Sequence, residues 1–292
     1  MGKMDGLSLD TGAVRIERPV AASVPLVFAS PHSGRDYPPD FVAAARLDRL
    51  GLRRSEDCYV DELFAAAPAY GATLVAATFP RVFCDPNREA WELDPAMFAD
   101  TLPDWVNTAS PRAGAGLGTI ARVVGTGETI YRGKLSFAEA QVRVAATWQP
   151  FHAALREAVE RTRRRFGACL LIDCHSMPEA SMPPRRRADV VLGDAHGTAC
   201  DPALMRRMEE LLTQEGFSVR RNDPYAGGYI TRHYGRPREQ VHALQIEVNR
   251  GLYMSETTLE RSAGFESLRL RLSRLVAYLA RHAAEDLGVA PF

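Results

Sequence analysis

Two histidines stand where hydrophobic runs of the sequence end: His32 in PHSG after PLVFA, and His175 in DCHS after CLLI. Ligands in open α/β sheets bind beyond the C-terminal ends of strands, so the pair predicts a metal site on a sheet rim. Two neutral imidazoles and one carboxylate, with a position left for water, make a common catalytic zinc shell. The acidic segment Glu56-Asp57-Cys58-Tyr59-Val60-Asp61 offers the carboxylate. Asp57 is the preferred ligand, as the predicted N-cap of a helix DELFAAA that would fix its backbone. Glu56 adjoins it as the alternative, and Asp57 and Asp61 would otherwise simply cap the helix.

A second carboxylate lies inside another apolar run. In ALQIEVNRGLY, Leu244, Ile246 and Val248 alternate with Gln245, Glu247 and Asn249, so one face of a strand is apolar and the other polar. Glu247 could then point into a pocket as general base on a water, or pair with an arginine. Arg88, in CDPNRE, follows a Pro-containing turn, and its planar fork suits a carboxylate. In NDPYAGGYITR the adjacent Gly227 and Gly228 permit a mobile loop or close approach of backbone to ligand, and Tyr225, Tyr229 or Arg232 could close over a substrate. His196 in GDAHG also follows a predicted strand, whereas His152, His233, His242 and His282 lack that context. Ser33, Ser176 and Cys174 adjoin the histidines, but no G-x-S-x-G elbow occurs, and neither GAGLG nor GTGE matches a phosphate loop.

The elements that must position these residues alternate. Strands are predicted near 25–29, 72–78, 168–173, 188–193, 217–221 and 241–248, and helices at 40–50, 57–69, 136–165, 201–214 and 256–284. Such alternation predicts a mostly parallel sheet. Between 86 and 135 periodicity lapses into a long excursion with no second core to be read, and loops this long are usually functional. One domain over 1–292 is the expectation. The chain has 36 basic and 36 acidic residues, a formal net charge of zero that favours neither nucleic acid nor an anionic membrane. The run Pro183-Pro184-Arg185-Arg186-Arg187 reads as a solvated basic loop. No apolar stretch has the length of a membrane span and MGKMDGLSLDTG lacks the core of a signal peptide, so a cytoplasmic location is expected. Five cysteines without a C-x-x-C pair read as reduced, mostly buried thiols.

The segments SPHSGRDYP, DCYVDELF, DPNRE, IYRGKLS, LIDCHSMP, DVVLGDAHG, NDPYAGGYITRHYG and ALQIEVNRGLYMSE, in this order, resemble the N-formylglutamate amidohydrolase (N-formylglutamate deformylase) family. The resemblance implies a phosphorylase/hydrolase-like α/β fold, a three-layer sandwich with a mixed sheet flanked by helices, similar to that of zinc carboxypeptidases. It implies some antiparallel strands that periodicity does not reveal. It further implies zinc on His32, Asp57 and His175, Glu247 as the base, and Asn87 with Arg88 on the α-carboxylate of a small N-acyl amino acid. Arg132 or Arg232 would meet the oxyanion. The reaction implied is hydrolysis of N-formyl-L-glutamate to L-glutamate and formate, the last step of one route of histidine degradation.

Overall fold

The runs CLLIDCHSM and VHALQIEVN are buried at every position, which requires that both faces of their sheet be covered. The computed structural model describes residues 7–10, 12–19 and 22–289. Its strands are β1 (Leu7–Asp10), β2 (Val14–Arg18), β3 (Leu26–Ser30), β4 (Thr73–Ala77), β5 (Cys169–Met177), β6 (Val190–Gly193), β7 (Val219–Arg221) and β8 (Val241–Asn249). They form a single sheet in the order β1-β2-β4-β3-β5-β8-β6-β7. Pairing is parallel along β4-β3-β5-β8 and between β6 and β7. The β1-β2, β2-β4 and β6-β8 pairs are antiparallel, so the sheet is mixed.

Alternate side chains feed two cores. Phe28, Leu74, Ile172 and Ile246 pack with Met205 and Leu212 of helix Pro202–Gln214 and Leu268 and Leu275 of helix Phe265–Asp286. Val27, Val75, Leu171 and Ala243 pack on the other face with Phe151, Leu155 and Val159 of helix Gln149–Phe166. The result is the three-layer sandwich expected. All five cysteines are buried and free.

Several predicted elements change in extent. β5 continues to Met177, so His175 lies within the strand rather than after it, opposite Glu247 of β8. The helix expected at 57–69 contracts to Val60–Leu63, preceded by Tyr59 in the left-handed region at φ 65°; Asp57 is therefore not its N-cap. The helix expected at 40–50 splits into Pro39–Ala44 and Arg49–Arg53, and the last helix begins at Phe265. The helix expected at 136–165 runs as Phe137–Arg143, a π turn Val144–Trp148 and Gln149–Phe166, opened by a Ser136/Glu139 capping box.

The excursion 86–135 is not devoid of core. Its Leu93, Met97, Phe98 and Ile120 join one face of the sheet, while Ala121, Val124 and Ile130 pack with Tyr37, Phe41 and Leu52. Isolated bridges such as Ala45–Tyr131 and Phe98–Leu135 hold it, and these leave no periodicity to read. Among the described residues no helix is long and apolar enough to cross a membrane.

Candidate active site

β3 ends at Ser30, and the turn that follows carries His32 across the sheet edge. Gly34 lets this turn pass against the backbone after β4: a Cβ there would lie 2.2 Å from the Phe79 carbonyl oxygen. The Asp57 amide donates to the His32 carbonyl at 3.0 Å and ties the acidic segment to the same turn. His175 arrives from β5, next to Glu247 on β8, with both side chains on the face that also carries Asp173 and Gln245.

These elements bring His32, Asp57 and His175 together, all buried, with one donor atom of each within 4.8 Å of the others. Asp57 Oδ2 is 3.3 Å from His32 Nδ1 and 3.0 Å from His175 Nδ1. The far nitrogen of each ring meets a second carboxylate: His32 Nε2 is 2.7 Å from Asp85 Oδ1, and His175 Nε2 is 2.9 Å from Asp173 Oδ1. Arg250 donates to Asp57 Oδ1 at 2.8 Å and Arg81 to Asp85 Oδ2 at 2.7 Å. Glu56 turns away to Arg53, whose Nε donates to it at 2.9 Å.

Burial opposes the Asp57 anion, but hydrogen bonds from His175 and His32 and the Arg250 charge outweigh it and hold the carboxyl well below its usual range. Asp85 is likewise low, burial being overcome by the charges of Arg81, His32 and Arg88. His175 is raised well above an ordinary imidazole, because Asp173 and Asp57 outweigh its burial. Glu247 is pushed up to about 7 by burial, with the nearby His175 charge acting against the shift and Asp57 adding to it. Gln245 donates to its Oε1 at 2.9 Å, and Glu247 makes no ion pair with an arginine among the described residues.

Two buried carboxylates, Asp57 and Asp85, thus have arginine partners, whereas Asp173 and Glu247 have none among the described residues. Positive charge beside them can come from the imidazoles as cations or from a divalent ion beside neutral rings. The Nδ1 edges of both rings converge on one oxygen of Asp57, a donor set that fits such an ion.

The group opens into a cavity of about 340 Å³ at the sheet edge, lined also by Glu247, Asn87, Arg88, Tyr225 and Gly228. Arg88 is buried, and its guanidinium donates to the carbonyls of Leu117 at 2.9 Å and Asn87 at 2.8 Å, which leaves its charge unmatched. The Asn87 amide lies 3.1 Å from His175 Nε2 and its oxygen accepts from the Ile230 amide at 2.8 Å. Gly228 donates to Gln245 at 2.9 Å, and a Cβ on it would fall 2.2 Å from the Asn87 amide nitrogen. The Tyr225 hydroxyl lies 2.8 Å from Ser181 Oγ.

Three sequence candidates are placed elsewhere. Tyr229 stacks on His233 at 4.8 Å and, with Arg232, lines a neighbouring cavity; Arg232 donates to the Gly227 carbonyl at 3.0 Å. Arg132 lines a third cavity with Arg46 and Lys134, because the bridge from Ala45 to Tyr131 carries its segment away from the histidines. Neither Arg132 nor Arg232 is therefore positioned for an oxyanion in this cavity, which instead has Arg81 and Arg250 in its wall. His196 is exposed. Sequence reasoning missed Asp85, Asp173, Arg81 and Arg250. For Asp173 a signal existed, since a residue two before His175 on a strand must share its face.

Ser33 bonds to Ser30, and Ser176 accepts from Arg250, so neither serine has a histidine as its base. What the cavity presents is the acid-base chemistry of a hydrolase on a mixed-sheet α/β scaffold. Residues 24–254 match the family model described as N-formylglutamate amidohydrolase, and the chain belongs to that family. It is 33% identical over 245 residues to an N-formylglutamate deformylase of Pseudomonas aeruginosa, covering 80% of this chain and 83% of the relative. An N-formylglutamate deformylase of Pseudomonas putida is 30% identical, again over 80% of this chain and 83% of the relative. The crystal structure of N-formylglutamate amidohydrolase from Ralstonia eutropha JMP134 superposes with a TM-score of 0.89 at 41% identity, covering 94% of this chain and 99% of that one.

Proposed function

We propose that the protein is a zinc-dependent amidohydrolase that converts N-formyl-L-glutamate and water to L-glutamate and formate, closing one route of histidine degradation. The observation that carries this reading is the convergence of His32, Asp57 and His175 within 4.8 Å, in the cavity that Glu247 also lines. His32 and His175, each through Nδ1, and Asp57 through Oδ2 would hold the ion. When bound, it supplies Lewis acidity to the amide carbonyl.

Glu247 accepts a proton from the attacking water, for which a carboxylate poised near neutrality is well matched. The water oxygen bonds to the formyl carbon, the C–N bond breaks, and Glu247 returns the proton to the departing nitrogen. Arg88, its charge unmatched, binds the α-carboxylate, and Asn87 seats that arginine through its backbone carbonyl at 2.8 Å. Arg81 and Arg250, in the cavity wall beside Asp85 and Asp57, are the guanidiniums placed to offset charge as the oxyanion forms.

Turnover of N-formyl, N-acetyl and N-succinyl glutamate by zinc-loaded protein, measured side by side, tests the reading. A clear preference for the formyl compound is expected; equal turnover of all three would remove the assignment of the acyl group.

A further inference from the structure

N-formylglutamate carries two carboxylates, and the cavity wall holds five arginines. Three already have carboxylate partners: Arg250 with Asp57 at 2.8 Å, Arg81 with Asp85 at 2.7 Å, and Arg54 with Glu128 at 2.9 Å. That leaves Arg88 and Arg112. The Arg112 guanidinium makes no hydrogen bond or ion pair among the described residues. Its backbone is tied to Arg88 through one residue, Leu117, whose amide donates to the Arg112 carbonyl at 2.8 Å and whose carbonyl accepts from Arg88 Nε at 2.9 Å.

Neither guanidinium is held in an ion pair among the described residues, so both are open to an anion, although Arg112 also lines the neighbouring cavity that holds Glu89 and Glu92. Burial pushes Arg88 down to about 10, Asp85 works against that shift, and the charges of Arg81 and Arg112 add to it. Arg88 is deep, and Arg112 is exposed at the cavity mouth. A ligand with anionic groups at both ends of a short chain would match one to each.

We propose that Arg112 is the specificity residue of the site, binding the side-chain carboxylate of the dicarboxylate substrate while Arg88 binds the α-carboxylate. The inference rests on the hydrolase reading above. It also accounts for a placement that catalysis does not need: Arg112 lies on a short helix, Pro111–Gly114, of the long excursion. That excursion would thus select the side chain, while the sheet edge performs the chemistry.

The test compares zinc-loaded wild type, Arg112→Met and Arg112→Lys on N-formyl-L-glutamate and on its neutral isostere N-formyl-L-glutamine, with circular dichroism to confirm folding. Removing a charged hydrogen-bond donor should lower kcat/KM for the glutamate compound roughly 10- to 100-fold, chiefly through KM. The preference for glutamate over glutamine should shrink by a similar factor, and the lysine variant should recover part of it. An unchanged preference, or an equal loss on both substrates, overturns the inference and leaves the hydrolase reading standing. Wild type that fails to turn over N-formylglutamate overturns that reading, and this inference with it.

Discussion

Each histidine of the site divides its two nitrogens between two carboxylates, and this division decides which edge of the ring is free to bind. Asp85 and Asp173 hold the Nε2 edges, which leaves Nδ1 of both rings toward Asp57. Such outer carboxylates fix the tautomer and raise the basicity of a ligating ring. Asp85→Asn should therefore weaken zinc affinity about 10- to 100-fold without removing a ligand, measured by competition with a chromogenic chelator. Unchanged affinity would show that Asp85 does not orient His32. Glu247→Gln should keep zinc at full stoichiometry while kcat falls about two to four powers of ten; retained turnover would end its assignment as base. The histidines and Glu247 stand out in the sequence because each lies at or within an apolar run, and Asp57 because it is read as a helix N-cap, a role the structure gives instead to Tyr59. Asp85 does not stand out, since no spacing relates it to His32. Nor does the true setting of Asp57, which depends on Tyr59 taking a left-handed backbone.

Among the elements, the long helix does more than cover the sheet. At the end of its π turn Trp148 donates to the Arg88 carbonyl at 3.0 Å, and one turn on His152 Nε2 lies 2.8 Å from the Pro86 carbonyl, so one helix face grips the turn that carries Asn87 and Arg88. His152 is neutral there: burial pushes it down to about 3, the Pro86 carbonyl opposing and His233 and Arg156 assisting. With the folded value below the ordinary one of 6.5, the unfolded chain binds more protons between them. This group leaves stability unchanged above about pH 6.5 and lowers it as pH falls toward 3, by about 5 kcal/mol at most. Urea melts across this window should show a shallower loss in His152→Gln than in wild type; parallel slopes would place the acid sensitivity elsewhere. Gly228→Ala tests the same turn from the opposite side, because the added methyl meets the buried Asn87 amide at 2.2 Å. A fall in both Tm and kcat/KM is expected, and neither should change if the helix Tyr229–Tyr234 can simply shift. The apolar stripe reveals this helix, but a π turn shifts the helical phase without leaving a mark in the sequence. The hairpin β1-β2 escaped notice because its strands are short and sit at the sheet edge.

At the scale of the molecule, positive and negative residues balance at 36 each, so no net field guides an anionic substrate, and attraction is left to the arginines of the cavity. The same cavity holds the cluster of Asp57 and two imidazoles beside Glu247, which couples ion binding to stability. Chelated protein should melt below the zinc-loaded form, with Tm rising as free zinc rises, since a ligand that binds only the folded state stabilises it by mass action. A Tm indifferent to zinc would contradict a shared site. The apolar runs of strands buried on both faces predict a mostly parallel sheet, whereas the antiparallel pairs leave no such mark and follow only from the resemblance. Nor is the order of strands legible, because nothing local records which runs become neighbours. That order has a consequence for assembly. β3 pairs with β5 across most of the first half of the chain, Leu26 opposite Leu170, and Asp57 is 25 residues from His32 but 118 from His175. Pairings so distant in sequence slow folding, because the loop must be closed before they form. A nascent chain that has not reached residue 169 carries two of the three donors but no strand to bring them the third. Zinc uptake would then be an endpoint of synthesis, and a fluorescent zinc probe would report completed folding.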